Sequence, residues 1–173
     1  MLKLRYNVLT AIILAGALAR ILPHAPNVTP IGAMALFAGA EFANKRLAFI
    51  VPILAMILSD AILGFHAGII SVYGSFLLSV GLGLWLRNHR SVGSTVLVSV
   101  ISSLLFFVIT NFSVWVSGGM YPASLQGLMS CYVAALPFLR NTLSGDLLYV
   151  AVFFGGLALA EKRWPMLSEI KTA

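Results

Sequence analysis

Wherever the apolar runs of this chain break, the lysines and arginines fall into alternate gaps, and most other polar side chains gather at the gaps in between. The runs cover residues 6–22, 30–43, 47–63, 67–86, 92–115 and 143–160. A helix of about 20 apolar residues crosses a hydrocarbon core of roughly 30 Å, so the pattern predicts an all-α membrane protein with six transmembrane helices. Lys3, Arg5, Lys45, Arg46, Arg87, Arg90, Lys162, Arg163 and Lys171 share one side of that arrangement, and Arg20 and Arg140 fall on the other. Nine of eleven basic residues on one side is the bias of cytoplasmic loops, which predicts that both termini are cytoplasmic. Trp85 and Trp164 at inner boundaries and Trp115 at an outer one suit rings anchored at headgroup level.

Composition removes the soluble alternatives. Of 173 residues, 60% are hydrophobic and 9% charged, against roughly a quarter charged in soluble domains. Six spans leave only short connections, so residues 1–173 are expected to form one integral membrane domain. The net charge of +6 does not signal nucleic acid, because the basic residues sit in pairs at span ends instead of along one face.

Three segments need a decision. The second run, at about 14 residues, rises only about 21 Å, but dropping it as a span would put Lys45 and Arg46 outside and reverse every later loop. A crossing is expected. Residues 122–139, bounded by Pro122 and Pro137 and carrying Gln126, are expected to form a helical cap over the outer mouth, since counting them as a span would export Glu161, Lys162 and Arg163. The N-terminal run imitates a secretory signal peptide, with Lys3 and Arg5 before it and Ala17-Leu18-Ala19 near its end; the expectation is a retained first helix. Ala11, Ala15 and Ala19 in that helix form a small-residue stripe, suited either to packing within the bundle or to docking a partner subunit.

The scarce polar groups cluster on the outer side. Asp60 lies near the outer end of helix three, Asn111 near that of helix five, and Asp146 just inside helix six; His24, Asn27, Thr29, His66, Tyr121, Tyr132, Arg140 and Asn141 lie in or beside the outer connections. Within the inner half only Glu41 is comparable. An ionisable side chain inside a span costs a few kcal/mol and normally faces a cavity or a partner. Asp60 therefore either pairs with Arg20 or Arg140 or meets a ligand. Asp146, following Thr142 and Ser144, either complements the start of its own helix or does the same. Thr29-Pro30 reads as an N-cap pair. His24 and His66 are either solvated or ligand contacts, and Asn111 either bridges helices or lines a site. Trp115, Tyr121 and Tyr132 suit interfacial anchoring or the lining of a flat organic ligand.

Catalytic signatures are missing: the chain has no Walker A loop, HExxH, CxxC or Gly-x-Ser-x-Gly. It is not expected to be an enzyme, to hydrolyse ATP or to carry a cofactor. Cys131 is the only cysteine, so no intrachain disulfide forms; it reads as a small buried hydrophobe or, as a weaker candidate, a soft ligand to a transition metal.

The stretches His24 to Ala40, Ser59 to His66, Thr110 to Trp115 and Gly127 to Tyr149 resemble a family of small bacterial membrane proteins described as similar to the S components of energy-coupling factor transporters. The resemblance covers about two thirds of the chain. It implies a six-helix protein of the bacterial inner membrane that binds a vitamin or related micronutrient near the outer surface and topples to release it inside. The Ala11, Ala15 and Ala19 stripe matches the docking face for a coupling subunit with its ATPases, although some members are solitary. Among those, BtuM-type cobalamin transporters are similar in carrying a histidine, an aspartate and an arginine at places His24, Asp60 and Arg140 would fill. Their cobalt-binding cysteine has no clear counterpart, because Tyr73 or a neighbour stands there and Cys131 lies elsewhere.

The resulting expectation is an uptake protein whose ligand, with cobalamin a leading candidate, sits between the outer ends of helices three, five and six. His24, Asn27, Asp60, His66, Asn111, Arg140, Asn141 and Asp146 supply polar contacts, and Trp115, Tyr121 and Tyr132 supply apolar area. An intramembrane enzyme built on Asp60 or a histidine, and a structural or assembly subunit without a cavity, are the alternatives.

Overall fold

The computed structural model describes residues 2–65 and 67–168, so His66 and Lys171 lie outside the described residues. The described chain is all helical. Six α-helices follow in order: α1 (Leu2–Ala19), α2 (Ile31–Glu41), α3 (Lys45–Leu63), α4 (Ile69–Asn88), α5 (Val92–Ser117) and α6 (Leu125–Arg163), then a short 3-10 turn at Pro165–Leu167. Helices α3 to α6 are each long and apolar enough to cross a membrane. Their starts are set by local chemistry. Asn44 accepts from the Arg46 and Leu47 amides, Ser91 from Ser94 and Ser124 from Gly127, which satisfies N–H groups that have no partner within their own helix.

Helix α2 is the centre of the bundle. Ten of its eleven residues are buried, Gly32 being the exception, and it is enclosed by α1, α3, α4 and α6. Its contact with α4 is backbone to backbone: a Cβ on Gly39 would lie 2.8 Å from the Cα of Gly83, and one on Gly83 would lie 2.9 Å from the Cα of Gly39. Two glycines facing each other allow the close helix approach that small residues provide in lipid.

The C-terminal end of α2 is enclosed by charge. Arg87 donates to the Gly39, Phe42 and Ala43 carbonyls, meeting the negative end of the α2 dipole and its free acceptors. Glu41, almost wholly buried, pairs with Arg5 at 2.7 Å and Arg90 at 2.5 Å. Arg5 reaches further to Glu161 and to the Leu167 carbonyl. The charge-pattern reading treated Arg5, Arg87 and Arg90 as orientation signals alone; they are also structural, and Arg5 is itself buried.

Helix α5 has its polarity inverted relative to a soluble helix. Its buried residues are Val98, Ser99, Ser102 and Ser103, while Leu97, Leu104 and Val108 are exposed. Such a helix is stable where its surroundings are as apolar as its outer face.

One expected element is absent as such. Residues 122–139 do not form a separate cap over the mouth: from Leu125 onward they are the first half of α6, which runs unbroken for 39 residues with Pro137 inside it. At 1.5 Å per residue α6 is about 58 Å long, well beyond a hydrocarbon core of roughly 30 Å. Proline removes one helical hydrogen bond but does not end an apolar helix supported by a neighbour. That neighbour is α5: the Tyr132 hydroxyl donates to the Val108 carbonyl at 2.8 Å, the Cys131 thiol to Asn111 at 3.5 Å, and the Tyr132 and Phe107 rings meet at 5.5 Å.

Candidate ligand cavity

Helix α2 has only eleven residues and rises about 16 Å, and beyond its N-terminus lies a cavity of about 560 Å³. Ile31 and Gly32 make the floor. Val72, Phe76 and Ser79 of α4, Ser102 and Phe106 of α5, and Thr142 and Asp146 of α6 make the walls. The segment from Arg20 to Thr29 forms the roof, with Leu63 at the edge. The mixture is mainly apolar with a few polar groups directed inward, which is the make-up of small-molecule sites.

The roof is tied down on the α6 side. Asn27 adopts the left-handed conformation, φ 62°, which asparagine tolerates better than most residues. Its amide donates to Thr142 Oγ1 at 3.3 Å, and the Asn141 amide donates to the Pro26 carbonyl at 2.9 Å. Gly145 lets the loop lie close, since a Cβ there would be 3.0 Å from the Val28 Cα. The His24 ring nitrogens face the Ala25 and Arg20 carbonyls at 3.0 and 3.2 Å.

Asp146 reaches the floor from the middle of α6. Its carboxylate accepts from Ser103 Oγ at 2.6 Å and from the Ala33 backbone N–H, and Gly32 makes room, because a Cβ there would be 2.9 Å from the Asp146 Cγ. Asp146 does not complement the start of its own helix; it serves the N-terminus of α2, where Pro30 supplies no side-chain cap and the dipole favours an anion. Thr142 and Ser144 instead bond back to Phe138 and Arg140 within α6, and Thr29 lines the cavity.

Asp60 takes the other of its two expected roles. It is fully buried behind the cavity wall, paired with Arg20 and not with Arg140, and it accepts from the Tyr73 hydroxyl at 2.7 Å. Arg20 also donates to Ser59 Oγ at 2.7 Å while lining the cavity.

Of the residues singled out in the sequence, His24, Asn27 and Asp146 therefore line the main cavity. Asn111 bonds back to Phe107 and lines an adjoining hollow of about 260 Å³, which shares Asn27, Phe106 and Thr142 with the first. Asn141 anchors the roof. Trp115, Tyr121, Tyr132 and Arg140 are not brought to the cavity: Trp115 donates to the Pro122 carbonyl at 3.0 Å in the α5–α6 connection, and Arg140 is exposed. Cys131 is buried between α5 and α6, away from the lining, and no group of three or more metal-ligating side chains occurs among the described residues. On α1, Ala11 and Ala15 are exposed and Ala19 half-buried, while Leu9, Ile13 and Ala17 face the core.

The sequence reading missed the α4 wall, which takes the place expected of α3, and the hydroxyls at its heart. Ser79 and Ser102 share a hydrogen bond at 2.7 Å, and the Phe76 and Phe106 rings stack at 5.6 Å. A signal was present, because Ser71, Ser75 and Ser79 recur every fourth residue on α4 and Ser99, Ser102 and Ser103 share a face of α5. Serine is common enough in apolar helices that this spacing does not distinguish a cavity from helix packing.

No curated protein and no solved structure matches the chain. Residues 2–167 match DUF6580, described as a family of unknown function, and the chain belongs to that family.

Proposed function

We propose that this protein is a membrane-embedded substrate-binding protein for uptake of a vitamin-sized micronutrient, taken from the outer side of the bacterial inner membrane and released inside by an S-component-like movement. The observation that carries this reading is the cavity of about 560 Å³ between the shortened α2 and the Arg20–Thr29 roof. That volume lies within the range of small-molecule sites, roughly 300–1,000 Å³, and a purely structural subunit has no use for it. At roughly 30 Å³ per water it equals about 19 waters, which favours a ligand well below the size of a corrinoid.

Six crossings with cytoplasmic termini remain part of the proposal. The four long apolar helices support it, and so does the end-to-end asymmetry of α2, with arginines at one end and the cavity at the other. The exposed Ala11 and Ala15 support a docking face for a coupling subunit with ATPases; solitary operation is the other possibility within the same reading. The experiment is purification from cells grown in rich medium, followed by mass spectrometry of whatever small molecule the protein retains. A stoichiometric compound small enough for the cavity is the expected result. Protein that is consistently empty, and that binds no B vitamin or corrinoid at micromolar concentration, ends the uptake reading.

A further inference from the structure

The cavity has one sign of charge left over. Arg20, the one lysine or arginine among the described lining residues, is committed to Asp60 and Ser59. His24 holds both ring nitrogens against backbone carbonyls. Asp146 is the one carboxylate in that lining, is 5% exposed, and has no cationic side chain paired with it among the described residues. Its acceptances from Ser103 and Ala33 fill about half of a carboxylate's roughly four lone-pair sites. The α2 N-terminus contributes a partial positive charge of about one half, less than the full negative charge it faces. A buried charge left without a partner is unfavourable, and a cation that removes that condition binds with a charge-assisted hydrogen bond. The stacked Phe76 and Phe106 rings line the same cavity, and aromatic faces attract cations and pack against flat rings.

Resting on the uptake reading, we propose that the cavity selects a small cationic nitrogen compound carrying a flat ring, whose charged nitrogen pairs with Asp146 while the ring lies against Phe106. The proposal names the ligand's chemical class, which the uptake reading leaves open.

The test is direct binding to the purified full chain in detergent, by calorimetry, of two charge series on constant rings. The first is 3-(aminomethyl)pyridine, whose ammonium carries the N–H donors, with nicotinamide and nicotinate; the second is tryptamine and indole-3-acetate. The expected result is that the cations bind and that each binds at least tenfold more tightly than its neutral or anionic counterpart. Asp146→Asn should weaken the cations by about 10- to 100-fold, the size of a charge-assisted hydrogen bond, and leave the neutral and anionic compounds unchanged or improved. Ser103→Ala keeps the carboxylate and should keep the cation preference. If Asp146→Asn does not fold, the ranking on the unaltered protein decides. Preference for an anion or a neutral compound, or no binding by either cation, overturns the assignment. A neutral or anionic molecule identified by co-purification would overturn it too while leaving the uptake reading in place, whereas protein that retains and binds nothing ends both.

Discussion

The two ends of α2 meet opposite surroundings. At the C-terminal end Arg87 covers the last carbonyls and Glu41 is held between Arg5 and Arg90, with Glu161 joined to the same network. At the N-terminal end one carboxylate, Asp146, meets the first turn, and beyond it lies a hollow instead of packed side chains. The same short helix is therefore pinned at one end and opens onto a cavity at the other. The difference teaches where tolerance to change should lie: the arginine–glutamate network and the glycine contact hold the bundle together, whereas the cavity walls leave room for side chains to vary at small cost.

Four substitutions test that division. Gly39→Val should be the most damaging, since its side chain would enter the α4 backbone at Gly83; a loss of more than about 4 kcal/mol is expected, seen as aggregation on size exclusion in detergent. A monodisperse variant with an unaltered Tm would refute the close contact. Arg5→Met removes the buried cation that joins Glu41 to Glu161, and breaking a buried pair costs about 3 kcal/mol or more; thermal unfolding measures it, and a loss under about 1 kcal/mol would show that the C-terminal end of α2 is not pinned by this network. Val72→Trp should fill part of the cavity from α4 and reduce binding of the co-purified ligand at least tenfold, with stability within about 1 kcal/mol of the parent. Retention of full affinity would place the ligand elsewhere. Arg140→Ala should change neither stability, within about 0.5 kcal/mol, nor binding. A clear effect there would restore the role the sequence suggested for it and weaken the assignment of the site to the cavity.

Much of the helix layout was legible in the chain. The apolar runs at 30–43, 47–63 and 92–115 anticipate α2, α3 and α5 to within about two residues, because length and composition are local properties that a helix expresses directly. The merger of 122–139 with 143–160 was not legible: prolines at both ends signal a boundary, and only the support of α5 along Cys131 and Tyr132 lets the helix pass through Pro137. Of the polar residues that the sequence gathers toward one edge, His24, Asn27 and Asp146 line the main cavity. Trp115, Tyr121, Tyr132 and Arg140 do not line it, because depth along the membrane axis does not say which way a helix face points.

The sequence by itself determined that this chain is helical, that at least four of its helices suit a membrane, and that its polar residues collect toward one edge, since all three follow from local composition and spacing. Only the tertiary structure decided that Asp60 is neutralised by Arg20, that Asp146 of α6 serves the start of α2, and that the half-length of α2 becomes empty volume. Those outcomes depend on which faces of distant segments meet, and hydrophobic periodicity carries no information about a partner on another helix, whether 40 residues away, as for Arg20 and Asp60, or more than a hundred, as for Asp146 and the start of α2.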